Sequence, residues 1–173
     1  AAIVLPTEPA ADETLAAEEL REHLKLISGA ELPAVQGNST ADTTPINIGT
    51  VTGFNADKRT EQIGSDEASY MIAVDEDGIK LIGRSPKGAL FATYELLERL
   101  GVRWYMPGKL GTVIPKAKHL EFGHGVTFRS PSFRSRYITS SMTPPFSNRV
   151  RLGGEMFPSA HGIKLSPPRT KEN

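Results

Sequence analysis

The segments Tyr70-Met71-Ile72-Ala73-Val74 and Ile79-Lys80-Leu81-Ile82 flank Asp75-Glu76-Asp77-Gly78. Asp-Gly between two apolar runs is the strongest local hairpin signal, because glycine tolerates the positive φ that a tight hairpin turn demands. The sheet of this protein is therefore at least partly antiparallel. A helix is predicted immediately afterwards, with Ser85 as N-cap, Pro86 at the first helical position, Leu90, Tyr94 and Leu97 on one stripe, and Gly101 closing it.

A second amphipathic helix is legible over Asp12 to Ser28. Ala16, Leu20, Leu24 and Ile27 recur at helical spacing between charged residues, Asp12 is placed at the N-cap, and Gly29 suits the left-handed C′ position. Short strands are expected at Ile3-Val4-Leu5, Ile46-Asn47-Ile48, Val102-Arg103-Trp104-Tyr105, Thr112-Val113-Ile114 and His119-Leu120-Glu121-Phe122, besides the hairpin. Each helix has one apolar stripe, so both pack on the same sheet. The expected class is α+β, a mixed, partly antiparallel sheet of about six short strands with two amphipathic helices on one face.

The chain has 173 residues and no net charge, yet residues 1–128 carry 12 Lys+Arg against 18 Asp+Glu, and residues 129–173 carry 8 against 2. Proline density rises at the same place, with doublets at Pro144-Pro145 and Pro167-Pro168. The reading is an α+β module over 1–128 followed by a different segment over 129–173. The basic residues of that segment are dispersed singly, which argues against nucleic acid as the partner. No apolar run approaches the length that spans a bilayer, so no membrane partner is expected. Cysteine is absent, and His23, His119, His124 and His161 show no metal-ligand spacing, so neither a metal nor a cofactor is implied.

Other candidate chemistry is weak. Gly83-Arg84-Ser85-Pro86-Lys87-Gly88 lies where phosphate loops occur, but its Lys precedes the second Gly and Pro86 removes a donor, so it reads as a helix cap. Glycosidic chemistry needs two carboxylates across a sugar; Glu18, Glu19 and Glu22, and likewise Glu95 and Glu98, are read as solvent-facing by the helical stripes. Asp75, Glu76 and Asp77 suggest calcium, although the hairpin turn explains them. Asn38-Ser39-Thr40 matches a glycosylation sequon and reads more simply as a loop. No Gly-x-Ser-x-Gly elbow occurs. Trp104 and Tyr105 could stack on a pyranose, or sit in the core or at an interface with a following domain.

Read together, Ala17-Glu18-Glu19-Leu20-Arg21-Glu22-His23-Leu24, Ile27-Ser28-Gly29-Ala30-Glu31-Leu32-Pro33, Ile46-Asn47-Ile48-Gly49, the Asp77-Gly78 hairpin and the run from Gly88 through Leu90, Tyr94, Leu97 and Gly101 to Tyr105 form a recognisable combination. It resembles the N-terminal domain of bacterial α-glucuronidases and their uncharacterised glycosidase-like relatives, and is similar to the second domain of β-N-acetylhexosaminidases. The resemblance covers residues 1 to about 138. It implies a non-catalytic module packed against a following (β/α)₈ barrel of the same polypeptide that carries the reactive carboxylates. No catalytic residue is assigned here, and the chain alone is expected to be inactive.

The resemblance also gives the basic segment a meaning. Pro131-Ser132-Phe133-Arg134-Ser135-Arg136 resembles the segment leading into the first barrel strand, which makes Arg136 a sugar-contacting candidate; a guanidinium can pair with adjacent hydroxyls or a uronate. Asn148-Arg149-Val150-Arg151-Leu152-Gly153-Gly154 and Ser159-Ala160-His161-Gly162 resemble opening loops of the uncharacterised relatives, so His161, with Trp104, completes the substrate-binding candidates. A barrel needs roughly 200 residues, so residues 129–173 are expected to be a linker and the truncated start of that barrel, with 139–173 irregular and docked back on the module or exchanged with a neighbour. A periplasmic or extracellular setting follows from the resemblance and from an N-terminus compatible with a removed signal peptide. Rival readings are an independent carbohydrate-binding module using Trp104 and Tyr105, and a small hydrolase with its own carboxylate pair.

Overall fold

A computed structural model describes residues 1–37, 43–54, 57–137 and 144–154. The elements run β1 (Ala2–Leu5), α1 (Ala11–Ser28), β2 (Ala34–Gln36), β3 (Pro45–Thr50), β4 (Tyr70–Asp75), β5 (Gly78–Gly83), α2 (Pro86–Arg99), β6 (Arg103–Trp104), β7 (Thr112–Val113), β8 (Gly125–Arg129), β9 (Ser135–Arg136), α3 (Phe146–Arg149) and β10 (Gly153–Gly154). Six strands form one sheet in the order β2-β1-β3-β5-β4-β8. The β1–β2, β1–β3 and β3–β5 pairs are parallel, and β4 is antiparallel to both β5 and β8. The expected α+β class with a mixed sheet is the one observed.

Strand alternation sorts the side chains onto two faces. Ile3, Leu5, Ile46, Ile48, Tyr70, Ile72, Val74, Ile79 and Leu81 point toward α1 and α2 and form the main core with Leu20, Leu24, Leu90, Tyr94 and Leu97. Met71, Ala73 and Ile82 point the other way, under Ile63, Phe54 and Val51 from the segment that follows β3. The hairpin is built as the Asp-Gly signal requires: Asp75 opposes Gly78 in register, and Gly78 adopts φ 117°.

Helix boundaries follow their caps, with one correction. Ala10, not Asp12, is the N-cap of α1; its amide donates to Glu13 Oε2 at 2.7 Å, so the cap interaction is made by a side chain inside the first turn. At the other end Gly29 takes φ 80° and its N–H donates to the Lys25 carbonyl. For α2 the expectation holds: Ser85 Oγ accepts from the amides of Lys87 and Gly88, with Pro86 at the first turn. Those amides are consumed by the cap, and Gly88 lies against the Ser69 carbonyl, where a Cβ would fall 2.5 Å from the oxygen. Close packing of helix on sheet is thus what the Gly83–Gly88 loop serves.

Three strand expectations are corrected. Among the described residues β6 and β7 pair only with each other, as a short ribbon off the main sheet. Residues 119–122 form no strand, and the edge strand is instead β8, which the alternation of Val126 and Phe128 encodes weakly. β2 was not expected because Ala34-Val35-Gln36 is too short to show a period. Residues 144–151, expected to be irregular, contain the helical turn α3, and Phe146 enters the main core at 7% exposure. The sequon at Asn38 lies outside the described residues.

Candidate functional site

A cleft opens where α2, the start of β4 and the end of β8 meet. It measures about 350 Å³ and is lined by Tyr70, Phe91, Glu95, Arg129, Arg136 and Arg151, with Ala68, Ser130, Pro131 and Val150 between them. The fold places these groups for local reasons. Phe91 and Glu95 are four residues apart on α2, so they share a face. Tyr70 opposes Arg129 in the β4–β8 register, which sets both side chains on the helix side of the sheet beside Glu95.

Glu95 is buried, contrary to the solvent-facing position expected from its helix stripe. Its carboxylate accepts from the Tyr70 hydroxyl at 2.6 Å, from Arg99 Nη2 at 2.5 Å and from Arg129 Nε at 3.2 Å. Burial acts to raise its pKa, but the hydrogen bonds from Tyr70, Arg99 and Arg129 outweigh burial and hold the carboxyl below the usual carboxylate range. Burial, with Glu95 as hydrogen-bond partner, pushes the Tyr70 phenol well above its ordinary value. Glu95 is therefore a fixed anion. A general acid for glycoside cleavage needs the opposite shift.

Arg136 lines this cleft. Its Nη1 donates to the Phe133 carbonyl at 2.6 Å and its Nε to the Arg151 carbonyl at 3.3 Å. Arg151 has φ 57°, a left-handed conformation that bulky residues adopt rarely. It sends Nη2 to Glu98 Oε2 at 2.8 Å. Among the described residues Glu95 is the one carboxylate lining the cleft, together with the guanidiniums of Arg129, Arg136 and Arg151.

Trp104 does not line this cleft. Trp104 is 7% exposed. Its ring meets His23 and Tyr94 near-perpendicularly at 5.6 Å each, and the Arg149 guanidinium sits over it at 5.8 Å. A ring enclosed in this way packs the core and offers no open face to a pyranose; the neighbouring Tyr105 is 74% exposed. Glu19, also expected at the surface, is buried and accepts both a bidentate pair of bonds from Arg149 and, through its carbonyl, a contact with His23 Nδ1. Glu18 and Glu22 are exposed as expected. His161 lies outside the described residues.

A second hollow of about 380 Å³ lies on the opposite face of the sheet. There Arg59 bridges Asp57 and Asp75, and Lys80 approaches Asp57 at 3.2 Å. The Arg59 guanidinium is the chief reason the Asp57 carboxyl sits well below its ordinary value. Asp75 also accepts from the Asp77 amide within the hairpin turn, so this acid is occupied by protein donors. Among the described residues no group of three or more acidic or histidine side chains is placed to hold a metal ion.

A pH dependence follows. Glu95 and Asp57 have lowered folded-state values, so each stabilises the fold fully above its ordinary carboxylate range, 4.5 and 3.8 respectively, and loses that contribution as pH falls through the lowered value. Urea unfolding midpoints are expected to be lower at pH 3 than at pH 7. Equal midpoints would contradict the ion-pair assignments.

Neither a family model nor a curated protein matches this sequence. Solved structures do. A GH115 4-O-methyl-α-glucuronidase with specificity for decorated arabinogalactans aligns over 78% of this chain at 21% identity and a TM-score of 0.56. A GH138 enzyme targeting pectin rhamnogalacturonan II aligns over 57% at 17% identity and a TM-score of 0.41, and the protein CpGH84D over 54% at 15% and 0.38. The chain spans 18%, 10% and 17% of those proteins respectively. No helix among the described residues is long and apolar enough to cross a membrane. The fold is one that occurs within glycoside hydrolases.

Proposed function

We propose that this chain is the non-catalytic N-terminal accessory module of a multidomain carbohydrate-active enzyme of the α-glucuronidase-like or hexosaminidase-like kind, packing against a (β/α)₈ glycoside hydrolase barrel elsewhere in the polypeptide. The observation that carries this reading is the apolar tip of the β6–β7 ribbon. Tyr105 and Leu110 are 74% and 98% exposed there, with Met106 and Val113 exposed beside them. Large apolar residues gathered on one short hairpin mark a surface that another surface covers. The fold likeness supports the same reading, because the matched region is a small share of a much larger α-glucuronidase.

The module's own cleft is poorly suited to cutting a sugar, since Glu95, the one carboxylate lining it among the described residues, is already bonded to Tyr70, Arg99 and Arg129. Within this reading Arg136 contacts the sugar, and the setting is the periplasm or the extracellular space. A second reading, an independent carbohydrate-binding module, is favoured by the exposed ring of Tyr105.

The test is direct. The 173-residue chain is expected to show no turnover of aryl glycosides and no heat on calorimetric titration with xylo- and acetylamino-oligosaccharides. Turnover abolished by Glu95→Gln would overturn the accessory reading in favour of a small hydrolase. Binding heat lost in Tyr105→Ala would transfer it to the carbohydrate-binding module.

A further inference from the structure

We infer that Glu19 is a positioning residue for Arg136, acting through Arg149. Arg136 is held by its strand pairing and by two guanidinium bonds. Among the described residues its strand, β9, pairs with β10 and with no strand of the main sheet: Arg136 opposes Gly153 and Ser135 opposes Gly154. Its guanidinium reaches the Arg151 carbonyl at 3.3 Å, and its other bond, to Phe133, is local. The orientation of Arg136 is therefore set by Phe133 on its own segment and by residues 151–154 across from it.

Those residues are in turn held by the helices. Arg149 places Nη2 at 2.8 Å from Glu19 Oε1 and Nε at 3.2 Å from Oε2, a fork-to-fork pair in which Glu19 is 8% and Arg149 19% exposed at the side chain. A bidentate pair shielded from water fixes direction as well as distance. Lys87 Nζ donates to Asn148 Oδ1 at 2.7 Å, and Phe146 fills the core. The backbone then turns at Arg151, whose left-handed conformation follows directly on this anchored turn. Glu19 thus touches nothing in the cleft, yet the anchored segment runs from its carboxylate to the guanidinium that faces the cleft. The inference goes beyond the module reading, because it concerns the placement of Arg136 whatever that residue contacts.

The experiment uses the 173-residue chain and needs no sugar, so its failure and the failure of the module reading are distinguishable. Hydrogen exchange of the Arg136 side-chain Nε–H and of the Arg136 and Gly153 amides is followed by NMR. Glu19→Gln is expected to accelerate exchange at these three sites tenfold or more, while amides of β3 and β5 change little. Ile72→Val, a core truncation far from this segment, serves as the control for general destabilisation and is expected to leave the ratio between the two sets of amides unchanged. Arg149→Lys, which keeps the charge and loses the fork, is expected to reproduce the effect and stands in if Glu19→Gln does not fold. Unchanged exchange at Arg136 in either variant, or a shift of the ratio in Ile72→Val as large as that in Glu19→Gln, would overturn the inference.

Discussion

Gly83→Ala is expected to cost about 3 kcal/mol of stability, the upper end of what forced overpacking produces. Gly83 ends β5 one residue before the chain turns into the α2 cap. A Cβ built there would lie 2.2 Å from the Ala89 nitrogen, 2.3 Å from the Ser85 carbonyl oxygen and 2.6 Å from the Gly88 carbonyl carbon. All three are backbone atoms of one helical turn, so no side chain can swing aside. Relief requires α2 to withdraw from the sheet, which would loosen Leu90, Tyr94 and Leu97 in the core. For a chain of this length the loss corresponds to a fall in Tm of roughly 6–12 °C. Thermal melts followed by circular dichroism measure it, and a change below about 1 °C would show that the loop relaxes more freely than its packing implies.

Glu95→Ala is the second large effect, expected to cost about 2–3 kcal/mol. The buried Tyr70 hydroxyl would lose its acceptor, and Arg99 and Arg129 would be left facing each other across the vacated carboxylate. Both arginines are partly exposed, which lets water offset some of the loss and keeps the figure below that of a fully buried pair. Glu95→Gln separates charge from shape: it retains an acceptor for Tyr70 and is expected to flatten the acid limb of the stability profile between pH 3 and 5. Denaturant titrations at several pH values check both. A Glu95→Gln profile as steep as the parent's would remove Glu95 from the groups responsible.

The two misplaced acids show where reading the sequence reaches its limit. Glu19 and Glu95 stand among charged neighbours on amphipathic helices, and a stripe analysis assigns such residues to water. Each is buried because a guanidinium arrives from far along the chain: Arg149 is 130 residues from Glu19, and Arg129 is 34 residues from Glu95. A signal existed in the spacing of Phe91 and Glu95, which puts that acid on a face already committed to the core. That face becomes a site for an acid only because β8 brings Arg129 beside it. Trp104 is the same case in reverse, an aromatic residue whose enclosure depends on His23, Tyr94 and Arg149 converging from three elements.

What the amino acids by themselves determined is the set of features decided within one or two turns of chain. The Asp77-Gly78 hairpin, the Ser85-Pro86 helix start, the Gly29 and Gly101 stops and the apolar stripes of α1 and α2 all rest on local dihedral preference and on the period at which side chains return to one face. The tertiary structure alone decided which strand closes the sheet, which acids are buried and how Arg136 is held. Those outcomes depend on desolvation balanced by charged partners distant in sequence, and that balance exists only once the chain has folded.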